Sequence, residues 1–201
     1  EGSGATTYVN GKACPMEFGD LILTPAWCWH EHHHSGDVPV LWLDALDVPL
    51  HSYLGTGRFQ TGPVVDLPET MPDAALSAVG FLPAEMMPET SHSPVFRYPY
   101  ADAKRALVST AAAPDGSRTV RYSHPATGEQ AQPLLDCTIM AIERGRETTR
   151  RRSNASSVCL VVAGSGRSQI GDKLIEWTEK DFFTIPQGNF ASHTATSEEA
   201  Q

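Results

Sequence analysis

The sequence predicts a mainly β protein, laid out as two related β blocks joined by a partly helical segment. Three observations predict it. Residues 1–54 and 134–201 read as short apolar or β-branched runs set between Gly and Pro turns. Residues 55–133 lose that pattern and turn rich in Gly, Pro, Thr and Ser, with two helix candidates. The second β block then repeats the first at a nearly constant offset.

Bulk properties narrow the functional classes. The chain has 201 residues and 40% are hydrophobic, which is enough to bury a core. No apolar run approaches the ~20 residues of a membrane helix, and no charged start precedes an apolar centre as in a secretory signal. A membrane role is therefore not expected. Fifteen Lys and Arg stand against 24 Asp and Glu, a net charge of −9, which repels phosphate backbones and argues against a nucleic-acid partner. Arg144, Arg146, Arg150, Arg151 and Arg152 are a local exception. Such a run is either a solvated loop or a place to meet an anion. Cys14, Cys28, Cys137 and Cys159 form no C-x-x-C pair, so reduced thiols in the cytoplasm are expected. Glu1 follows no initiating Met and sits inside an apparent strand–turn unit, so a piece of a longer protein is expected.

Taken in order, Ala5 to Val9 suits a strand and Asn10-Gly11 a hairpin turn. Gly19 to Thr24 reads as the next strand, ended by Pro25, which has no N–H to give a ladder. Val38 to Leu46 alternates as a further strand. Asp73 to Val79 suits a short helix. Ala101 to Ala113 suits a better one, Ala-rich, preceded by Pro99 and ended by Pro114-Asp115-Gly116. Cys137–Ile142, Val158–Val162, Leu174–Trp177 and Phe182–Ile185 are the strands of the second block.

The chemistry concentrates in Gly19 to His34, GDLILTPAWCWHEHHH. Neutral imidazole is the commonest transition-metal ligand. On an extended backbone His30, His32 and His34 point to one face. A polar surface turn or a tag-like run would carry the same residues. The spacing from Gly19 through Pro25 to His30 follows the cupin pattern G-x5-P-x-G-x2-H-x3-N. Trp27 stands where Gly is usual and His34 where Asn is usual.

Gly2-Ser3-Gly4 aligns with Gly164-Ser165-Gly166 at an offset of 162, while Asp20 aligns with Asp181 and Pro25 with Pro186 at 161. One residue is thus lost between, expected in the hairpin turn. Carrying 161 forward pairs Trp29 with Phe190, His30 with Ala191 and His32 with His193. Methyl cannot ligate a metal, so the first copy can bind one and the second is expected not to.

Three pieces, EGSGATTYVNGK (1–12), GDLILTPAWCWHEH (19–32) and WLDALDVPL (42–50), with SPVFRYP (93–99) between the blocks, resemble the gentisate 1,2-dioxygenases. These are bicupins close to the salicylate and 1-hydroxy-2-naphthoate dioxygenases. The resemblance implies two jelly-roll barrels, both cut short in this chain. Residues 1–54 would be the metal-bearing part of the first cupin, 55–133 the linker, and 134–201 the metal-free start of the second. It implies one Fe(II) held by three His, of which His30 is one and an H-x-H preceding Glu1 supplies two. It implies His32 as a substrate-orienting or proton-handling group and Asp44 as a carboxylate that orients His32 or a ring hydroxyl. Read from the residues alone, His32 also fits a hydrogen-bonded core histidine, Asp44 a strand-pair cap, and His33 and His34 solvent. Counting back from Gly164 places Arg151 and Ser153 at the second copy's H-x-H positions. The activity implied is O2-dependent ring cleavage of gentisate to maleylpyruvate, with salicylate or 1-hydroxy-2-naphthoate as alternative substrates, in a cytoplasmic homotetramer. A non-catalytic ligand-binding cupin is the reading from another class. The isolated 201 residues are expected to be inactive.

Overall fold

A computed structural model describes residues 2–62, 67, 71–78, 81–84, 90–198 and 200–201. The chain divides into two compact units, one of residues 1–100 and 121–137, the other of 101–120 and 138–201.

In the first unit, β1 (Ala5–Val9) and β2 (Lys12–Pro15) form an antiparallel hairpin, and β1 also pairs with β4 (His30–His34), in the order β2-β1-β4. The hairpin turns on Asn10 (φ 47) and Gly11 (φ 80), as the Asn-Gly pair predicted. β1 alternates buried and half-buried residues, with Ala5, Thr7 and Val9 turned inward. The expected Gly19–Thr24 strand is reduced to β3 (Leu21–Ile22), paired with β5 (Arg97–Tyr98). Val9, Cys14 and Phe96 form the buried cluster, with Ile22 and Cys28 against it.

Carboxylates tie the 93–98 stretch to this hairpin region. Asp73, in α2 (Asp73–Leu76), accepts from Lys12 Nζ at 2.6 Å and from the Arg97 backbone N–H at 2.9 Å. Asp20 accepts from Arg97 Nε at 2.7 Å and the Tyr100 N–H at 2.9 Å. The helix predicted from Asp73 is present but ends at Leu76; Val79 lies outside the described residues.

Val38 to Leu46 is a correction. Among the described residues it pairs with no strand, because Pro39 offers no N–H and no neighbouring edge receives it. An unpredicted helix, α1 (Val48–Leu54), follows: Pro49 pre-sets its first turn, and Gly55 (φ 68) closes it in the left-handed conformation, its N–H donating to Ser52 O.

The second unit opens with α3 (Tyr100–Ser109), which buries Ala103 and Leu107 four residues apart. β6 (Ser117–Arg121) pairs with β7 (Thr138–Ile142), and β8 (Ser157–Leu160) pairs with β11 (Phe182–Ile185). β9 (Ser165–Ile170), β10 (Lys173–Thr178) and β12 (Ala191–Ala195) form a sheet in the order β10-β9-β12. Ile142, Val161, Trp177, Ala195 and Ala200 make its core.

The internal repeat is written into the ladders. Thr7 faces Cys14 and His32; 161 residues later Ser168 faces Ile175 and His193. Left-handed residues recur at the same offset. Asn10 (φ 47) matches Gly171 (φ 59), Gly19 (φ 84) matches Lys180 (φ 76), and Trp27 (φ 63) matches Gly188 (φ 77). One detail is corrected. Both hairpins have two-residue turns and the offset is already 161 at Ala5 and Gly166, so the lost residue lies before β1 and not in the turn.

Trp27 therefore occupies a backbone conformation that its twin leaves to glycine, and its side chain is 83% exposed, with little packing to lose. Relief of a left-handed L-residue, offset by glycine's greater unfolded entropy, should make Trp27→Gly more stable by about 0.5–1 kcal/mol. Urea unfolding checks this; a lower midpoint for the variant would contradict it.

Candidate functional site

The first unit's site is built on β4. In an antiparallel pair, opposed residues share a face. His30, His32 and His34 lie opposite Val9, Thr7 and Ala5, so they take the inward face of β1, as the period of two predicted. His33 goes to the other face, its ring 5.0 Å from that of Tyr8 and its Nε2 3.2 Å from Glu31. All five β4 residues are exposed.

The His30 and His32 rings stand 6.0 Å apart. His30 Nδ1 lies 3.3 Å from the Cys28 carbonyl. A carbonyl only accepts, so Nδ1 holds the proton and Nε2 presents its lone pair, the form in which imidazole binds metals. His32 Nδ1 lies 2.9 Å from Thr7 Oγ1, and the His32 ring is 5.2 Å from that of Trp42. The Thr7 hydroxyl also has Met16 Sδ as an acceptor, at 3.3 Å. Its one proton can go to either partner, so His32 can hold its own proton on Nδ1 or on Nε2. Asp44 is exposed, and its carboxylate makes no hydrogen bond or ion pair among the described residues. The structure thus brings His30, His32 and Trp42 together, and among the described residues the Asp44 carboxylate makes no bond to His32. Thr7 and Met16 were not singled out from the sequence. Aligning the inward residues of β1 with alternate histidines of β4 would have found Thr7.

One imidazole does not make a metal centre. Among the described residues no three His, Cys, Asp or Glu side chains converge to hold an ion. The donor set fits one ligand of a metal site and not the whole set. The thiols offer no nucleophile either: burial pushes Cys14 and Cys159 up to about 11, so both stay protonated.

In the second unit the equivalents gather around a cavity of about 570 Å³. Arg151, Ser153, Ala191 and His193 all line it, and Arg151 pairs with Ala191 through both backbone bonds, at 2.9 and 2.7 Å. His193 Nδ1 lies 2.7 Å from Ser168 Oγ, the twin of the His32–Thr7 bond. Gly166 is required beside it, because a Cβ there would collide with the Trp177 ring and the Thr194 carbonyl.

Two histidines give the fold a pH dependence. Burial holds His193 below its ordinary 6.5. Burial, helped by nearby His92, does the same to His124, whose Nδ1 accepts from the Ala126 N–H. A base with a lowered folded pKa takes up its proton more readily when unfolded. The contribution of these two histidines should therefore be constant above about pH 6.5, and stability should fall as pH drops from there toward the folded values. Urea midpoints at pH 7.5 and 5.5 check this; an equal or higher midpoint at 5.5 would refute it.

The architecture places the chain among the cupins: the Cupin domain family matches residues 1–46, the segment that carries β1 to β4. The chain is 32% identical to gentisate 1,2 dioxygenase 1 of Aquipseudomonas alcaligenes, over 98% of its own length and 59% of the relative's. It is 30% identical to a 1-hydroxy-2-naphthoate 1,2-dioxygenase of Nocardioides, over 90% of its length and 48% of the relative's. A salicylate 1,2-dioxygenase variant from Pseudoaminobacter salicylatoxidans superposes with a TM-score of 0.91 at 30% identity, over all of this chain and 60% of that one. The chain is related to the gentisate 1,2-dioxygenases and spans about half to three fifths of the length of the relatives it matches. Among the described residues no helix is long and apolar enough to cross a membrane.

Proposed function

We propose that the protein carrying this chain is an Fe(II)-dependent dioxygenase that opens the ring of gentisate. Both atoms of one O2 enter the product, so that 2,5-dihydroxybenzoate plus O2 becomes maleylpyruvate. The observation that carries the reading is the match to a gentisate dioxygenase over nearly the whole chain, with His30 and His32 side by side on one face of β4.

His30 would contribute one ligand, and two further imidazoles would come from residues outside this chain. Held by those imidazoles, an Fe(II) would supply the Lewis-acid and one-electron chemistry that the reaction of a hydroxy acid with O2 needs. His32 has the position and the exchangeable proton to receive a ring hydroxyl's hydrogen and return it, with Thr7 taking either role in its own bond. The exposed Trp42 ring offers a flat wall for an aromatic acid. The Asp44 carboxylate, exposed in this chain, would orient His32 or a ring hydroxyl of the bound substrate. Residues 1–54 would form the metal-bearing part, 55–133 the linker and 134–201 the part without ligands, in a cytoplasmic homotetramer. With one ligand of three, the 201 residues alone would neither hold iron tightly nor turn over substrate.

A second substrate reading, a salicylate or 1-hydroxy-2-naphthoate, draws support from relatives carrying those names. The full-length protein, reconstituted with Fe(II), should consume O2 when given gentisate and build a ring-opened product. A panel with salicylate and 1-hydroxy-2-naphthoate ranks the substrates. No O2 uptake with any of the three would overturn the reading.

A further inference from the structure

We infer that the cavity of the second unit is a binding site for a small organic carboxylate with an apolar body, separate from the iron chemistry proposed above. Three independent features converge on it.

The first is a locked hydrogen-bond chain. Trp177 Nε1 donates to Ser168 Oγ at 2.8 Å, and an indole N–H can only donate. The buried Ser168 hydroxyl then directs its own proton to His193 Nδ1, 2.7 Å away, its other partner. His193 is left with its proton on Nε2, an N–H donor at the cavity wall. The contrast with the first unit sits at one position: Met16, an acceptor, becomes Trp177, a donor, 161 residues on. His32 can exchange its proton between two nitrogens, whereas His193 is set as a donor.

The second feature is Arg151. Opposed residues share a face, and Arg151 lies opposite Ala191. Residues two apart share that face as well, so Arg151 joins His193 at the cavity. Its neighbours Arg150 and Arg152 place their guanidiniums over the Phe190 ring, 4.9 and 5.2 Å from its centroid. Among the described residues the Arg151 guanidinium has no carboxylate, carbonyl or ring partner, so its planar pair of N–H donors is available to an anion. Arg152 also borders the cavity. The lining carboxylate, Asp115, is turned to the Ser117 hydroxyl and the Ser117 and Thr149 N–H groups.

The third feature is size and polarity. About 570 Å³ lies within the range of small-molecule sites, and Met140, Ile185 and Ala191 supply apolar wall. Ala191 stands where the first unit has His30, so the loss of a metal ligand leaves apolar surface beside two N–H donors. A carboxylate would take the guanidinium fork and the imidazole N–H, while its carbon body lies against the alanine and its neighbours.

Benzoate is the probe. Calorimetric titration of the metal-free full-length protein with benzoate should show saturable binding, with acetate at least tenfold weaker because it lacks the body. Arg151→Met should weaken benzoate tenfold or more, and Arg151→Lys, which keeps the charge but not the fork, should fall between. Arg144→Met, which removes an exposed pair with Glu198, and His30→Ala should bind as the parent does. Circular dichroism confirms that each variant is folded. Absence of saturable benzoate binding, equal affinity in folded Arg151→Met and parent, or loss of binding in His30→Ala would each overturn the inference. The dioxygenase reading is judged separately, by O2 uptake.

Discussion

In the full-length protein, His30→Ala should abolish both iron retention and gentisate-dependent O2 uptake, while His32→Gln should keep the iron and lose turnover by about 10²–10⁴-fold. The two rings are 6.0 Å apart on one strand, yet their hydrogen bonds give them different chemistry. The bond of His30 to the Cys28 carbonyl holds its Nε2 lone pair outward. The bond of His32 to the Thr7 hydroxyl can be made with either partner as donor. A ligand and a proton carrier therefore separate in two measurements, metal content and kcat. An iron-loaded, active His30→Ala protein would remove His30 from the ligand set. An iron-free His32→Gln protein would make His32 a ligand instead.

Trp177→Ala should destabilise the second unit by about 3–5 kcal/mol. Trp177 is 6% exposed, stacks on Phe183 at 13° between ring planes, and fills the space that Gly166 leaves open. Its indole N–H also holds the Ser168 hydroxyl in place. Trp177→Phe keeps most of the ring but not the donor, and should cost about 0.5–1.5 kcal/mol, the net worth of a hydrogen bond. Urea unfolding of both variants separates packing from the hydrogen bond. Equal losses in the two would mean that the N–H, not the ring volume, dominates.

Much of this protein was open to reading one residue at a time. Asn10-Gly11 specified a hairpin because two adjacent left-handed residues suit few side chains. The common offset of Asp20 with Asp181 and Pro25 with Pro186 disclosed the repeat, because both copies break their strands at the same places. The alternation of His30, His32 and His34 set their common face, because side chains in a strand have period two. Val38 to Leu46 misled because alternation records a face and not a partner. The chain alternates there, but Pro39 and the helix start at Val48 leave it without a ladder among the described residues.

The sequence by itself determined the β blocks, their repeat, the residues that differ between them and which histidines share a face. These are properties of local spacing and side-chain identity. Only the tertiary structure decided which proton each histidine carries and that Arg151 lines an open cavity beside His193. Those depend on partners distant in sequence: Met16 or Trp177 behind a hydroxyl, and Ala191 across the strand from Arg151. A hydrogen bond has a direction that composition does not encode, and it is set by the neighbour at the far end of the chain of bonds.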